Sequence, residues 1–263
     1  MINVRLSGGL GNQLFQIATA LRLSNNNCNK IRIFSKDLGN YKVPREFELL
    51  KILDFEFHNT SAISNVILKS RLPRIINIGN LFINDKNYQD QYNYFTNIKF
   101  LDGYFQYDQD WEFLSSSVDL ISTKLNENFL KKPNSKLVIH ARGGDFLNDS
   151  LSNEHQLTFY RKIIGLGYLS NFKSGILCCS DAVYGKKIVS FFNDFGINLS
   201  FYTKTDNDWE DDFRLIMNSD LVVGSRSTFA WWATLIGKTS SIFPNDFNIG
   251  ELRTLYHPYE IKH

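Results

Sequence analysis

The sequence is poor in cysteine and has no long apolar run. Its three cysteines are Cys28, Cys178 and Cys179. An odd count with two adjacent residues in an apolar segment suits buried, reduced thiols better than a disulfide framework or a zinc site. No window approaches the roughly 18 consecutive apolar residues that span a bilayer, and the first residues do not resemble a secretory signal. We therefore expect a cytoplasmic protein without a transmembrane segment, and leave open peripheral association with the inner face of the membrane.

The charge lacks a strong bias of either sign. Lys and Arg number 29 and Asp and Glu 27, so the net charge is +2, and the basic residues are scattered along the chain. A nucleic-acid-binding protein ordinarily carries a clustered basic patch, so we expect no nucleic-acid partner. Aromatic residues are plentiful at 14%, with 22 Phe. They predict a substantial core and a surface on which a sugar or a base could stack.

Strands and helices are predicted to alternate, most clearly in the second half. Residues 2–6 and 30–35 predict strands flanking a helix. The later predicted strands are 136–140, 176–180, 197–202, 220–224 and 240–243, and the later predicted helices are 155–169, 184–195, 208–218 and 227–236. This alternation favours an α/β fold with parallel sheets. A length of 263 residues suits two lobes with a cleft between them.

The middle of the chain is less regular and separates the two halves. Residues 62–71 predict a helix that ends before Pro73, residues 100–106 a strand, and residues 108–131 a helix. The polar, proline-containing segment 131–135 is the linker candidate. The predicted domains are an N-terminal lobe of residues 1–133 and a C-terminal lobe of residues 134–263.

A glycine-rich turn, Gly8-Gly9-Leu10-Gly11-Asn12-Gln13, follows the first predicted strand. Glycines between a strand and a helix let the backbone approach a ligand, and the helix N-terminus behind them attracts negative charge. Asn12 is placed to cap that helix. A dinucleotide fingerprint is disfavoured, because Leu14 occupies the third small-residue position and Ser35 stands where an acidic residue is needed. The alternative without a ligand is a tight turn with a capping Asn.

The most informative segment is His140-Ala141-Arg142-Gly143-Gly144-Asp145-Phe146. It follows a predicted strand, at the edge where an open α/β sheet places its ligand. The guanidinium of Arg142 is permanently charged and matches phosphate oxygens bidentately, as a departing diphosphate requires. The alternative is a surface ion pair of Arg142 with Asp145 and a structural His140.

A second loop, residues 224–229, follows the strand at 220–224 and carries Ser225, Ser227 and Thr228. Hydroxyls and backbone N–H groups at a helix start form a phosphate cradle, although Ser and Thr are also common caps. Asp181 ends another strand, where it could accept hydrogen bonds from a ribose or a base or could cap the next helix.

Four segments, in this order, resemble the motifs of bacterial α-1,2-fucosyltransferases, and they span residue 5 to about 237. They are residues 8–16 (GGLGNQLFQ), 101–106 (LDGYFQ), 140–146 (HARGGDF) and 225–232 (SRSTFAWW). The resemblance implies an inverting, metal-independent GT-B glycosyltransferase of two Rossmann-like lobes, with no cofactor. The N-terminal lobe would face the acceptor and the C-terminal lobe would bind the donor, GDP-β-L-fucose. Fucose would pass to the 2-hydroxyl of a galactose-containing surface glycan such as an O-antigen, either lipid-linked or not.

The resemblance also assigns roles to individual residues. Arg142 would bind the donor diphosphate, with the donor loop of Ser225, Ser227, Thr228 and Phe229 lining the nucleotide pocket. The candidate cleft residues are Gly9, Gly11, Asn12 and Gln13. The general base stays open between Asp145 and His140, since the acceptor hydroxyl must lose a proton to a carboxylate or an imidazole within reach. Asp181 completes the candidate donor-binding set.

One position departs from the family, whose loop has a second arginine where this chain has Gly143. The loss removes one cation near the donor or acceptor, so another GDP-deoxysugar such as GDP-colitose is an alternative donor. A noncatalytic carbohydrate-binding protein on the same fold is an alternative of a different class.

Overall fold

The computed structural model describes residues 1–40, 46–75, 81–85, 99–106, 111–130, 136–143, 150–201, 209–244, 259 and 261. The chain divides into two compact units, Met1–Asn126 and Glu127–His263. The predicted boundary after residue 133 stays a prediction, because the linker candidate 131–135 lies outside the described residues. None of the described helices has the length and apolar content that crossing a bilayer requires.

Unit 1 is built on a five-stranded parallel sheet. Its strands are β1 (Ile2–Arg5), β2 (Ile31–Phe34), β3 (His58–Asn59), β4 (Phe82–Ile83) and β5 (Lys99–Leu101), in the order β3-β2-β1-β5-β4. Its helices are α1 (Leu10–Leu23), α2 (Leu49–Ile52), α3 (Ala62–Lys69), α4 (Leu72–Ile75) and α5 (Trp111–Thr123), with short 3-10 turns at Cys28–Lys30 and Leu38–Asn40. β1 is buried throughout, as expected of a central parallel strand covered on both faces.

Unit 2 carries a second five-stranded parallel sheet. Its strands are β6 (Leu137–His140), β7 (Ser174–Cys178), β8 (Asn198–Ser200), β9 (Leu221–Val223) and β10 (Ser240–Ile242), in the order β10-β9-β6-β7-β8. Its helices are α6 (Glu127–Leu130), α7 (Ser150–Gly165), α8 (Ala182–Asp194), α9 (Trp209–Met217) and α10 (Thr228–Gly237). All five strands and four helices predicted for this half are present, with boundaries shifted by a few residues.

Aromatic residues fill the core of unit 2, as the composition predicted. Trp231 and Trp232 of α10 are 2% and 0% exposed, so they are core residues. Tyr160 of α7 and Phe192 of α8 pack against each other with ring centroids 5.3 Å apart. Cys178 and Cys179 are buried, as predicted, and their reduced state stays a prediction.

Two predictions for the middle of the chain need correction. The predicted strand 100–106 ends at Leu101, because the Asp85 carboxylate accepts the backbone N–H groups of Tyr104 and Phe105 and holds that segment as a loop. The predicted helix 108–131 is two helices, α5 and α6. They are separated where Asn126 turns away and donates its amide to the Lys51 carbonyl, at 2.7 Å.

The region around Pro73 also differs in part from its prediction. α3 ends at Lys69, before the proline as expected, but a second short helix, α4, then begins and includes Pro73 in its first turn. A proline is tolerated there because the first N–H groups of a helix have no partner within the helix. Ser61 caps α3 by accepting the N–H of Ser64.

Candidate functional site

The His140 and Ser225 loops meet at the switch point of the second sheet. The first strand of unit 2, β6, lies between β7 on one side and β9 on the other. Successive connections therefore leave in opposite directions at the carboxyl ends of β6 and β9, which opens a crevice where open α/β sheets bind their ligands. The loop after β6 begins at Ala141 and the loop after β9 begins at Gly224. Parallel pairing thus explains why segments more than 80 residues apart in sequence come together.

Arg142 reaches from the first of these loops to the second. Its Nη1 donates to the carbonyl of Arg226, 3.2 Å away, and its backbone N–H donates to Gln156 Oε1, also at 3.2 Å. The two bonds hold the residue at both its main chain and its guanidinium end. The guanidinium of Arg142 is thus fixed at the carboxyl edge of the parallel sheet, and its binding of a donor diphosphate stays a prediction.

His140 joins the same two loops from the end of β6. Its Nδ1 lies 2.8 Å from Ser225 Oγ, and its ring stacks on Phe229 with centroids 6.2 Å apart and planes 28° apart. Its backbone carbonyl accepts the hydroxyl of Tyr160 at 3.0 Å. His140 therefore has a structural role at the loop junction through Nδ1. Its candidate role as general base stays a prediction.

Asp145, the other candidate base, belongs to residues 144–149, which lie outside the described part of the chain. Its assignment also stays a prediction. The same holds for the alternative ion pair between Asp145 and Arg142.

The start of α10 is not capped by a side chain. Ser227 occupies the cap position, but its hydroxyl makes no capping hydrogen bond. Its backbone N–H instead donates to the Ser225 carbonyl at 2.7 Å, in a tight turn. Ser225 and Ser227 are 1% and 6% exposed. Capping alone therefore does not explain this serine, and Thr228 follows it as the first residue of α10.

Gly143 packs directly against Asp181. A Cβ built on Gly143 would overlap the Cβ of Asp181 and come within 3.3 Å of its backbone nitrogen. The carboxylate of Asp181 caps α8 by accepting the Tyr184 N–H at 2.8 Å, which confirms the capping interpretation. A side chain at position 143 would therefore displace the start of α8. The role of Asp181 in donor binding stays a prediction.

A buried polar network that the sequence motifs do not reveal supports the Arg142 loop. Gln156 of α7 accepts from the Arg142 backbone and donates through Nε2 to the Tyr184 hydroxyl at 2.7 Å. Burial raises the pKa of Tyr184 to about 12. The Cys179 thiol donates to the Asp181 carbonyl, and burial raises its pKa to about 11. In the sequence, Gln156 is one polar residue on a predicted helix, and residue spacing does not reveal its hydrogen-bond partners.

The glycine-rich turn and the 101–106 segment meet in unit 1 by the same geometry. β1 and β5 are neighbours in the sheet, so the loops that follow them are adjacent. Gln16 accepts the Ser7 N–H and donates to the Gly103 carbonyl at 2.8 Å. Asn12 accepts a hydrogen bond from Gln106. Two loops distant in sequence are thus fixed at one switch point.

The predicted cap of α1 is wrong. The cap position is Gly9, without a side-chain bond, and Asn12 lies inside the helix. Gly11 is buried in the first turn of the same helix. Gln13 is fully buried and donates to the carbonyls of Gly8 and Glu46, at 3.0 and 2.9 Å. These contacts fix the loops of unit 1. Substrate contact by Gly9, Gly11, Asn12 and Gln13 stays a prediction.

No protein-family model matches the chain, and no curated protein matches it significantly. Solved structures do match. The selenomethionine form of the fucosyltransferase NodZ from Bradyrhizobium is 14% identical over 98% of this chain and 99% of its own, with a TM-score of 0.56. A NodZ α-1,6-fucosyltransferase soaked with GDP-fucose is 13% identical over the same shares, also with a TM-score of 0.56. The likeness, together with two parallel sheets, confirms the GT-B-like α/β fold class with two Rossmann-like units.

Proposed function

We propose that the protein is an inverting glycosyltransferase that transfers L-fucose from GDP-β-L-fucose to the 2-hydroxyl of a galactose-type acceptor. The observation that carries the proposal is the bond from the Arg142 guanidinium to the Arg226 carbonyl at the β6/β9 switch point. It places a fixed cation beside the serine-rich start of α10, where a leaving diphosphate would lie.

The chemistry follows from where charge develops. In the transition state the sugar becomes oxocarbenium-like and negative charge grows on the departing GDP. Fixed donors aimed at that charge stabilise it without reorganisation, and removing one such donor costs roughly a hundredfold to a thousandfold in rate. Arg142 would supply the charge, and the turn at Ser225–Ser227 the neighbouring polar groups.

The identity of the donor is supported by two lines of reasoning. The four sequence motifs come together in pairs at the two switch points, so their order reflects a spatial arrangement. A NodZ structure of the same fold was soaked with GDP-fucose, and another was co-crystallised with GDP. The α-1,2 linkage rests on the sequence resemblance, since those NodZ enzymes are α-1,6-fucosyltransferases.

GDP-colitose was an alternative because Gly143 replaces an arginine. The close packing of position 143 against Asp181 explains why a glycine stands there, independently of the donor sugar. Fucose is therefore the donor we propose. The noncatalytic alternative predicts glycan binding without turnover.

The test begins with binding. GDP should raise the melting temperature and UDP and NAD should not, since a ligand of the folded state stabilises it. Incubation with GDP-fucose and a galactosyl acceptor should then yield an α-1,2-fucosylated product, identified by NMR, in the presence of EDTA. A parallel incubation with GDP-colitose should yield little or no colitosylated product. Arg142→Ala should lower turnover by a hundredfold or more. Arg161→Ala, which removes an arginine stacked on Phe191, is the matched control. Glycan binding with no turnover of any GDP-sugar would reject the transferase.

A further inference from the structure

The consecutive helices α3 and α4 of unit 1 expose several large apolar side chains. Ile63, Val66 and Ile75 are 76%, 70% and 75% exposed, and Leu72 is 37% exposed. Lys69 and Arg71 are exposed between them. We call these six residues the α3–α4 face. Clustered exposed apolar residues of this kind mark interaction surfaces.

The buried side of α3 already packs within unit 1. Leu68 is fully buried and packs in a small cluster with Phe34 and Phe82. Its carbonyl accepts the guanidinium of Arg5 at 2.7 Å, which fixes the C-terminal end of the helix to the sheet. Ile63 and Val66, three residues apart, lie together on the other side of the helix. Ile63 and Val66 therefore leave most of their surface exposed, although α3 itself is held to the sheet through Leu68.

The charge of this segment is strongly biased, unlike that of the whole chain. Residues 57–84 contain Lys69, Arg71 and Arg74 and no Asp or Glu. An amphipathic helix with apolar residues next to basic ones is typical of segments that lie in the interface of an anionic membrane.

We propose that the α3–α4 face binds an anionic lipid surface, with Ile63, Val66, Leu72 and Ile75 entering the headgroup region and Lys69 and Arg71 contacting lipid phosphates. A second copy of the chain is a poorer occupant. In a two-fold symmetric contact the same patch lies on both sides, so the interface would hold Lys69 and Arg71 of both copies and no acidic residue of the face to balance them. Anionic lipid supplies the missing negative charge. The α3–α4 face includes none of the candidate site residues, and the proposal does not depend on the transferase activity.

Vesicle flotation of the whole protein tests the proposal. The protein should float with vesicles of phosphatidylglycerol and phosphatidylcholine and remain unbound with phosphatidylcholine alone, and binding should weaken at high salt. The apolar variant Ile63→Gln/Val66→Gln should lower the partition coefficient by roughly tenfold or more. Its matched control, Leu50→Gln/Leu166→Gln, removes two exposed leucines elsewhere and should bind as the unchanged protein does.

A charge variant separates specific contact from net charge. Lys69→Gln/Arg71→Gln should lower binding by roughly tenfold or more, because each basic residue near an anionic surface contributes about fivefold. Lys186→Gln/Lys187→Gln removes the same charge from exposed positions of α8 and should leave binding within about twofold. No binding to anionic vesicles, or equal losses in the variants and their controls, would overturn the proposal. Light scattering that shows a dimer broken by Ile63→Gln/Val66→Gln, with vesicle binding absent, would assign the face to a second copy.

Discussion

Gln156 offers the sharpest test of how unit 2 positions its candidate catalytic arginine. Its side chain is 6% exposed and bridges the Arg142 backbone N–H to the Tyr184 hydroxyl. Gln156→Leu keeps a similar volume and removes both bonds. A lost neutral hydrogen bond costs about 0.5–1.5 kcal/mol, and a buried polar group deprived of its partner costs about 1–3 kcal/mol. We expect the free energy of unfolding to fall by about 2–4 kcal/mol.

Tyr184→Phe is the matched control, because it breaks the lower bond of the bridge and leaves the Arg142 bond in place. We expect it to cost about 1–3 kcal/mol of stability, since the Gln156 amide then lacks its buried acceptor. Its effect on GDP binding should be small. Gln156→Leu should weaken GDP binding by about tenfold, equivalent to about 1.4 kcal/mol, because the Arg142 loop loses its support. The two variants therefore separate loss of stability from loss of positioning.

Urea denaturation gives the stabilities and calorimetric titration with GDP gives the affinities. Gln156→Glu retains an acceptor for the Arg142 N–H and should bind GDP more tightly than Gln156→Leu does. Equal GDP affinities for Gln156→Leu and Tyr184→Phe would refute a positioning role for Gln156 and leave it as a purely structural residue.

Three further predictions concern the same unit. Gly143→Arg should lower the free energy of unfolding by about 1–3 kcal/mol, because the new side chain displaces Asp181. Gly165→Ala, at a position with open space around it, should be tolerated, and urea denaturation compares the two variants. A stable Gly143→Arg enzyme with faster turnover would contradict the packing argument. Ser227→Ala should lower the free energy of unfolding by less than about 0.5 kcal/mol, because no capping hydrogen bond is lost, and it should weaken GDP binding. A loss of about 1 kcal/mol, typical of a removed cap, with unchanged GDP binding would instead make Ser227 a structural cap. The pKa of the Cys179 thiol is raised from 9.0 to about 11, so the folded state retains this proton more tightly than the unfolded state does. The stability contributed by the protonated thiol is complete below pH 9 and is lost as the pH rises to about 11, a difference of about 2–3 kcal/mol that Cys179→Ala should abolish in a series of denaturation curves.

The fold was predictable where one periodicity governed a whole element. In unit 2 the buried strands and amphipathic helices alternate regularly, and the predicted parallel sheet is present. In unit 1 the prediction failed where a distant contact decided the backbone. The 103–106 segment has strand-forming aromatic residues, yet Asp85 binds its N–H groups and Phe105 adopts a positive φ of 54°. A carboxylate some twenty residues away leaves no periodic signal in the segment that it holds.

The candidate site was likewise predictable only in part. The residues that follow strands, such as Arg142 and Ser225, were found because parallel strands bring their carboxyl ends to one edge. Their pairing was predicted from the family resemblance alone, since residue spacing does not show which strands are neighbours. β9 lies next to β6 only because the chain reverses direction across the sheet after β8. Gln156 was missed for a related reason, as it acts from a helix through a backbone group. Motif residues therefore identify the edge of the sheet, and the order of the strands determines which of them can act together on one ligand.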